Sequence, residues 1–86
     1  MEAIWYFYVV RCCDHSFYAG VTTDLSRRLA SHNAGTGSKY TRLKRPVRFV
    51  LWERCVTKSA ALRREAAFKK FDKGKKERLV LGERGV

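Results

Sequence analysis

Two short stretches near the start of the chain are apolar enough to predict buried strands. Residues 4–12 are rich in aromatic and β-branched side chains and lead into the turn sequence Asp-His-Ser at residues 14–16. Residues 17–21 have the same character. A buried run, a polar turn and a second run are typical of a β-hairpin, here over residues 4–21. Gly20, near its end, would allow a close approach of the backbone or a bulge that a side chain would obstruct.

Apolar residues then recur at helical spacing. The sequence Thr-Thr-Asp supplies N-capping oxygens for a helix over residues 25–32. Such a helix aligns Leu25 and Leu29 in one apolar stripe, and Arg28 and His32 lie one turn apart beside that stripe.

The middle of the chain mixes loop and strand signals. Residues 33–46 contain glycines and then basic residues, which predicts a loop too long for a simple connection and therefore functional or mobile. Residues 47–56 return to strand character, with Phe49, Leu51 and also Cys55 on one side.

Two more helices are predicted after this strand. Thr57 or Ser59 caps a helix that reaches Phe71, and residues 73–81 form a third, basic helix. The element order is therefore β-β-α-β-α-α, which defines an α+β fold.

The length and composition indicate one small domain. The chain has 86 residues, 45% of them hydrophobic, which is too short for two independent cores. Three cysteines cannot form a closed disulfide framework, and no apolar run approaches the roughly 20 residues that cross a bilayer. The start, residues 1–4, lacks a signal-peptide pattern. We therefore expect a soluble, cytoplasmic domain without membrane contact.

The charge of the chain is strongly positive and unevenly distributed. Lys and Arg outnumber Asp and Glu by 19 to 8, and residues 41–86 carry +10 of the net +11. A one-sided basic surface is typical of a protein that binds nucleic acid, because neutralised phosphates release counterions. A solubilising face, or contact with the ribosome or an anionic membrane, is the alternative.

Glu65 is the most informative residue of the second predicted helix. It lies between Ala61 and Phe68 on one side and Leu62 and Ala66 on the other. A carboxylate inside an apolar stripe is costly unless it is paired or bound to metal. The alternative to a metal site is an ordinary salt bridge with a nearby cation, such as Arg64, Lys69 or a more distant arginine.

Four further residues have chemistry that an active site can use. Tyr8 and Tyr18 lie on the two hairpin strands, where packing of the rings in the core is the usual role. Arg28 with His32 could equally form a solvated helix face. Zinc ligation is not indicated, because Cys12 and Cys13 are adjacent, whereas the cysteines of a typical zinc motif have two residues between them. The sequence also lacks a phosphate-binding loop of the nucleotide hydrolases.

The joint order of these signals is more specific than any one of them. Tyr6-Phe7-Tyr8, then Tyr18-Ala19-Gly20, then Arg28 and His32, then Glu65 resembles the GIY-YIG endonuclease superfamily, especially its small stand-alone bacterial branch. The resemblance spans roughly residues 4–80. Its most diagnostic segments are FYAGVTTDLSRRLASHN, GTGSKYT, RPVR and AALRREAAFKK.

The resemblance implies a three-stranded antiparallel sheet flanked by helices, with the active site on the hairpin and first two helices. Glu65 would hold one divalent ion, Mg²⁺ or Mn²⁺, largely through waters. Tyr18 would act as, or position, the general base, and Arg28 would stabilise charge on the phosphate. Tyr8 and His32 would orient these groups.

Three departures from the family pattern are visible. Phe7 lies within the first motif, which has lost its glycine, and Ala19 replaces a larger aliphatic residue in the second. Many family members carry an asparagine beyond the metal glutamate, whereas the asparagine of this chain is Asn33, upstream.

The sequence thus predicts a metal-dependent DNA endonuclease with little sequence specificity, acting on structured or single-stranded DNA in repair or recombination. RNA is a second possible substrate, and a monomer is favoured. Phosphate contacts are expected from the basic loop and the last helix, and Tyr40 could stack on an unpaired base. The predicted contact residues are Lys39, Tyr40, Arg42, Lys44, Arg45, Lys73, Lys75 and Lys76.

Two other functions fit the same sequence. The first is a nucleic-acid-binding module that keeps the fold without catalysis, and the second is an adaptor for an acidic protein. The endonuclease hypothesis requires Glu65 to lie near the hairpin tyrosines. A carboxylate turned away from them, or locked against a lysine, would contradict it.

Overall fold

The centre of the structure, a computed structural model that describes residues 4–82, is an antiparallel sheet of three strands. The strands are β1 (Trp5–Arg11), β2 (Phe17–Thr22) and β3 (Arg48–Cys55). Their order is β2-β1-β3, so both β2 and β3 are edge strands. The predicted hairpin and the predicted sheet are confirmed. The prediction that the chain lacks a signal peptide rests on residues 1–4. Of these, Ile4 alone lies within the described part.

Within residues 4–82 four helices accompany the sheet: α1 (Leu25–Ala34), α2 (Lys39–Arg42), α3 (Lys58–Lys70) and α4 (Lys73–Val80). Between residues 4 and 82 no helix is long and apolar enough to span a membrane.

The ends of the helices follow from short polar side chains. Asp24, Thr57 and Asp72 cap α1, α3 and α4, and each side chain accepts a hydrogen bond from a backbone N–H in the first turn. α1 continues two residues beyond its predicted end and stops at Gly35, whose φ of 86° only glycine adopts without strain.

The segment 33–46 is not simply a loop, as the sequence had suggested, because it contains α2. Ser38 caps this single helical turn, and its hydroxyl accepts a hydrogen bond from the Thr41 N–H at 3.0 Å. One turn of helix is too short to show an apolar periodicity, so its formation depends on the cap and on contacts with α1.

The two faces of the sheet carry different clusters. On one face of the sheet, the α3 face, Phe7 and Val9 of β1 pack with Ala61 and Phe68 of α3. On the other, the α1 face, Tyr8, Val10 and Cys12 pack with Val47, and Leu25 and Leu29 of α1 lie against this cluster. Alternate residues of one strand point to opposite faces, which explains the division. The predicted apolar stripe of α1 is therefore confirmed.

The predicted orientation of Phe49 is wrong. Leu51 and Cys55 lie in the cluster of Phe7, but Phe49 packs on the opposite face beside Tyr8. A register shift between Val9 and Val10 inserts an extra residue in β3, and such a bulge reverses the facing of the residues beyond it.

The apolar surroundings predicted for Glu65 are also partly wrong. α3 buries Ala61 and Phe68, whereas Leu62 is 41% exposed and Ala66 is also exposed. Glu65 therefore lies at the border of the buried face. Its carboxylate carries a smaller desolvation cost than a position within an apolar stripe would impose.

Candidate active site

Tyr8 lies at the centre of the candidate site and is completely buried. Its partner on β2 is Gly20, and a Cβ at that glycine would lie 2.6 Å from Tyr8 Oη. Such a distance is far below van der Waals contact, so a side chain at position 20 would displace the phenol. The close approach that the sequence suggested for Gly20 is confirmed, and its occupant is the Tyr8 ring.

Two side chains of α1 converge on the Tyr8 hydroxyl. His32 Nε2 lies 2.8 Å from Tyr8 Oη, and Arg28 Nε donates to the same oxygen at 3.1 Å. Arg28 Nη2 also donates to the Gly37 carbonyl oxygen at 2.9 Å. The spacing of one helical turn therefore brings a guanidinium and an imidazole to one phenol, and two contacts fix the direction of the guanidinium.

His32 is completely buried and held at both ring nitrogens. Its Nδ1 lies 2.9 Å from Thr41 Oγ1, which is itself 2.9 Å from Ser38 Oγ. Burial, together with the nearby Arg28 charge, lowers the pKa of His32 from 6.5 to about 4. His32 is therefore neutral at pH 7, with one nitrogen donating and the other accepting.

The Tyr8 phenol is held in its protonated form. Burial raises the pKa of Tyr8 and outweighs the opposing effect of the Arg28 hydrogen bond. The negative charge of Glu65 makes a small further contribution in the same direction. Tyr8 consequently keeps a proton to donate and is suited to orientation rather than to proton abstraction.

Tyr18 is half-buried at the edge of this network. Its ring centroid lies 5.3 Å from that of His32 and 5.8 Å from that of Tyr40, which stacks on it at 27°. The Lys44 ammonium lies 3.9 Å from the Tyr40 ring centroid and pairs with Asp14 at 3.2 Å. Tyr40 thus packs within the protein, while 41% of its surface remains exposed.

Tyr18 also lies beside the guanidinium. Interaction with the Tyr8 and Tyr18 hydroxyls raises the pKa of Arg28. Four of the five residues predicted to be catalytic, Tyr8, Tyr18, Arg28 and His32, therefore form one cluster on the α1 face.

Glu65 approaches from the other layer of the molecule. It lies on α3, one turn from both Ala61 and Phe68, and 19% of its side chain is exposed. Its negative charge is the smallest of the effects that raise the pKa of Tyr8. It also forms a salt bridge with Lys69 at 3.2 Å, which is the alternative raised from the sequence.

The salt bridge between Glu65 and Lys69 reaches the surface through its lysine. The Lys69 side chain is 58% exposed, and exposed pairs one helical turn apart stabilise proteins by only about 0.3–0.5 kcal/mol. Such a pair is weak enough for a divalent cation to displace. The contact with a lysine therefore does not by itself decide between a metal site and a purely structural role for Glu65.

The carboxylate of Glu65 suits one class of metal. Among residues 4–82 no three His, Cys, Asp or Glu side chains cluster as metal ligands. A single oxygen ligand cannot make a structural zinc site, but Mg²⁺ and Mn²⁺ keep most of their water shell and accept one carboxylate plus substrate phosphate. The residues present therefore fit a hydrated Mg²⁺ or Mn²⁺ ion.

Two basic segments meet beside Tyr18. A groove at the β1–β2 turn is lined by Tyr40 of α2 and by Lys73 and Lys76 of α4. Lys39, Arg42 and Arg45 are exposed around α2. The Lys75 ammonium lies 4.1 Å from the Phe71 ring centroid, at the start of α4.

The upstream asparagine has a structural role. Asn33 accepts a hydrogen bond from the Val47 N–H at 2.7 Å and donates to the Val47 carbonyl at 3.0 Å. These two bonds join the end of α1 to the start of β3. Asn33 is therefore committed to the fold and does not replace the asparagine that many family members carry after the glutamate.

Sequence reasoning missed two residues of the site. Thr41 is buried against His32, and Gly37 both accepts a hydrogen bond from Arg28 and lies so close to His32 that a Cβ would overlap its imidazole. Both residues belong to the GTGSKYT segment, which the sequence pattern predicts to be part of a loop. The sequence signal that could have pointed to these two residues is a glycine and a threonine close together in a segment that has neither helical nor strand periodicity.

The fold and the site indicate a domain of the GIY-YIG nuclease class, and the match to that family's model supports this class. The GIY-YIG catalytic domain matches residues 4–78, and the chain therefore belongs to the GIY-YIG family.

Within that family the chain is similar to uncharacterised proteins grouped as UPF0213. It is 49% identical to the UPF0213 protein of Natronomonas pharaonis over 99% of this chain and 100% of that protein. The UPF0213 protein YazA of Bacillus subtilis is 49% identical over 84% of this chain and 73% of its own length.

Two solved structures have the same fold. The solution NMR structure of a UPF0213 protein from Bacillus halodurans is 40% identical, with a TM-score of 0.60 over 95% of this chain and 87% of that one. The solution NMR structure of a protein from Enterococcus faecalis is 48% identical, with a TM-score of 0.62 over 95% and 88%.

Proposed function

We propose that this protein is a metal-dependent endonuclease that hydrolyses phosphodiester bonds of DNA with little sequence specificity. The observation that carries the proposal is the convergence of a guanidinium, two phenols and a neutral imidazole at one point of the α1 face. Membership of the GIY-YIG family supports the same reaction class. The net charge of +11 supports a polyanionic substrate.

Arg28 stabilises the charge that develops on the attacked phosphate. Its planar fork matches phosphate oxygens, and the contacts with Tyr8 and Gly37 hold it in place before substrate binds. A donor that is already oriented costs no reorganisation during the reaction.

Tyr18 accepts the proton of the attacking water, or positions the group that does. It lies beside Arg28, at an accessible edge of the cluster. Tyr8 and His32, both fully buried, fix the guanidinium and the edge of the Tyr18 ring. These two residues act as positioning residues because they lie behind the groups that face the solvent.

Glu65 would hold the divalent ion together with waters and substrate oxygens. A bound Mg²⁺ or Mn²⁺ would neutralise negative charge on the phosphate and on the leaving oxygen. The displaced Lys69 would return to solvent at little cost, since its side chain is already 58% exposed.

The groove of Tyr40, Lys73 and Lys76 offers a path for the nucleic-acid backbone toward Tyr18. Lys39, Arg42 and Arg45 are further exposed cations on and after α2, the helix that carries Tyr40. Phosphate contacts of this kind position a strand without reading its sequence. Little sequence specificity is therefore expected.

The test compares cleavage by the wild-type protein with cleavage by Glu65→Ala, Arg28→Ala and Tyr18→Phe. The substrates are branched, single-stranded and duplex DNA, each in the presence of Mg²⁺ or Mn²⁺. Each substitution should lower the cleavage rate about a hundredfold or more, the loss usual when a charge-stabilising group is removed. Arg27→Ala is the matched control, because Arg27 is the exposed neighbour of Arg28 on α1. Absence of cleavage by the wild type, or equal cleavage by Glu65→Ala, contradicts catalysis.

The salt bridge of Glu65 with Lys69 favours a second function, a nucleic-acid-binding module without catalysis. In that case wild type and Glu65→Ala bind DNA equally, and neither cleaves it with either metal. If the chain binds an acidic protein and added DNA does not displace that protein, the chain is instead an adaptor for an acidic partner.

A further inference from the structure

Trp52 is a large aromatic residue on the edge strand β3, yet 56% of it is exposed. It is the antiparallel partner of Tyr8, and partners in a sheet point to the same face. Trp52 therefore lies on the face that carries the candidate active site, one strand away from Tyr8. α3 packs against β3 from the opposite face and does not cover it.

The bulge in β3 brings a second ring to this surface. Phe49 meets Tyr8 edge to face with centroids 5.7 Å apart, and its centroid lies 6.0 Å from that of Trp52. The rings of Tyr8, Phe49 and Trp52 therefore pack in a continuous row from the buried hydroxyl network to the solvent. Trp52 is supported from below by Phe49 and by the sheet, so it presents a flat apolar surface of fixed direction.

One cationic side chain lies on the same face as this aromatic surface. Arg54, two residues along β3 from Trp52, points to the same face and is exposed. An aromatic platform beside a cation is the combination by which proteins bind single-stranded nucleic acids, since the ring stacks on a base and the cation contacts the backbone.

We propose that Trp52 stacks on an unpaired base of the nucleic acid whose backbone enters the candidate active site. The inference deepens the proposed function and rests on it, because it names the class of substrate. A base within a duplex is already stacked on both faces and offers none to Trp52. The preferred substrate is therefore single-stranded DNA, or DNA with an unpaired nucleotide next to the cleaved bond.

A nucleic acid fits this surface better than other occupants because of charge. The chain has a net charge of +11, which opposes the association of a second copy. The same charge, with Arg54 beside the ring, attracts a phosphate backbone.

Binding of fluorescein-labelled oligothymidine, and of a duplex of the same length, tests the proposal directly. Trp52→Ala should weaken single-strand binding between about fivefold and about a hundredfold, the range measured for loss of one base–aromatic stack. Duplex binding should change less than about twofold. Trp52→Phe should recover part of the loss, and Val56→Ala, which alters an 82% exposed residue just beyond β3, is the matched control.

Tryptophan fluorescence gives a second readout that does not depend on cleavage. The chain has two tryptophans, so Trp5→Phe leaves Trp52 as the reporter and Trp52→Phe leaves Trp5. Oligothymidine should quench the emission of Trp52. It should leave that of Trp5 unchanged, because Trp5 is half-buried with the Lys58 ammonium 5.2 Å from its ring centroid.

Each outcome separates this inference from the proposed function. Equal single-strand affinity of wild type and Trp52→Ala, or unquenched Trp52 emission, overturns the platform even if the protein cleaves DNA. A doubled molecular mass in solution, lost in Trp52→Ala, overturns it in favour of a second copy as the occupant. Quenching of Trp52 in a protein that never cleaves supports the platform and contradicts the endonuclease.

Discussion

On the α3 face of the sheet, Phe7 and Val9 of β1 pack against Ala61 and Phe68 in a cluster of apolar side chains. On the α1 face, Tyr8 of the same strand directs its hydroxyl to Arg28 and His32. Both faces are buried along β1, yet they use charged groups differently. On the α1 face a guanidinium and an imidazole contact one buried phenol, whereas on the α3 face the Arg64 guanidinium lies 5.5 Å from the Phe7 ring centroid and pairs with Glu53.

The difference shows how a small domain affords a polar site within its core. A buried polar group is costly unless its hydrogen bonds are satisfied, and among residues 4–82 no buried side-chain nitrogen or oxygen lacks a partner. Apolar burial on the α3 face stabilises the fold. That stability offsets the cost of burying polar groups on the α1 face, where they are held in one arrangement. The comparison can be tested by changing one face at a time.

Phe68→Ala should have the largest effect on stability. The Phe68 ring lies 5.8 Å from that of Phe7 and 6.2 Å from that of Phe17, so truncation leaves a cavity at the centre of the α3 face. We expect a loss of about 3–5 kcal/mol in the free energy of unfolding, measured by urea denaturation.

Tyr8→Phe is the matched change on the α1 face. It removes only the hydroxyl that Arg28 and His32 share, so we expect a loss of about 1–3 kcal/mol. Its effect on cleavage should nevertheless exceed that of Phe68→Ala at a temperature where both variants are folded. Equal losses of stability in the two variants would refute the division of roles between the faces.

The buried His32 should make stability depend on pH. Its pKa is about 4 in the folded protein against 6.5 ordinarily, so the unfolded chain takes up a proton first as the pH falls. The free energy of unfolding should therefore decrease from about pH 6.5 down to about pH 4, by at most about 1.4 kcal/mol per pH unit, and His32 should contribute no further change below that.

The variant His32→Gln serves as the reference for this pH dependence. Other groups titrate in both proteins, so the difference between the two stability curves isolates His32. A constant difference between pH 4 and pH 6.5, by thermal denaturation, would show that His32 is not buried in its neutral form.

Lys69→Ala should have the smallest effect. We expect a change of about 0.5 kcal/mol or less in the free energy of unfolding, since the partner of Glu65 is an exposed lysine. Cleavage should be retained, with half-saturation at a lower Mn²⁺ concentration because the carboxylate no longer has a competing cation. Lys70→Ala, the next exposed lysine of α3, is the control. Loss of cleavage in Lys69→Ala alone would assign Glu65 a structural role.

Much of the site could be anticipated because its parts lie on regular elements. The hairpin places Tyr8 and Tyr18 on one face by the period of two, and α1 aligns Arg28 with His32 by the period of 3.6. The contact of Gly20 with Tyr8 follows from the same register. None of these relations needs knowledge of distant parts of the chain.

The remaining features depend on contacts between segments that are distant in sequence. α2 is one turn long, and its Thr41 is buried only because His32 lies beneath it. The bulge that moves Phe49 toward Tyr8 arises in the pairing of two strands about 40 residues apart. Periodicity within one segment cannot reveal either feature.

The sequence by itself determined the order of the three strands and the three longer helices, the cap of α1, the positive charge and the family motifs, because each is a property of neighbouring residues. The tertiary structure alone decided that His32 is buried and neutral and that Glu65 lies at the border of the buried face of α3. It also placed Trp52 in the open beside Tyr8. Burial and proximity depend on how the layers pack, and packing brings together side chains that the linear order keeps apart.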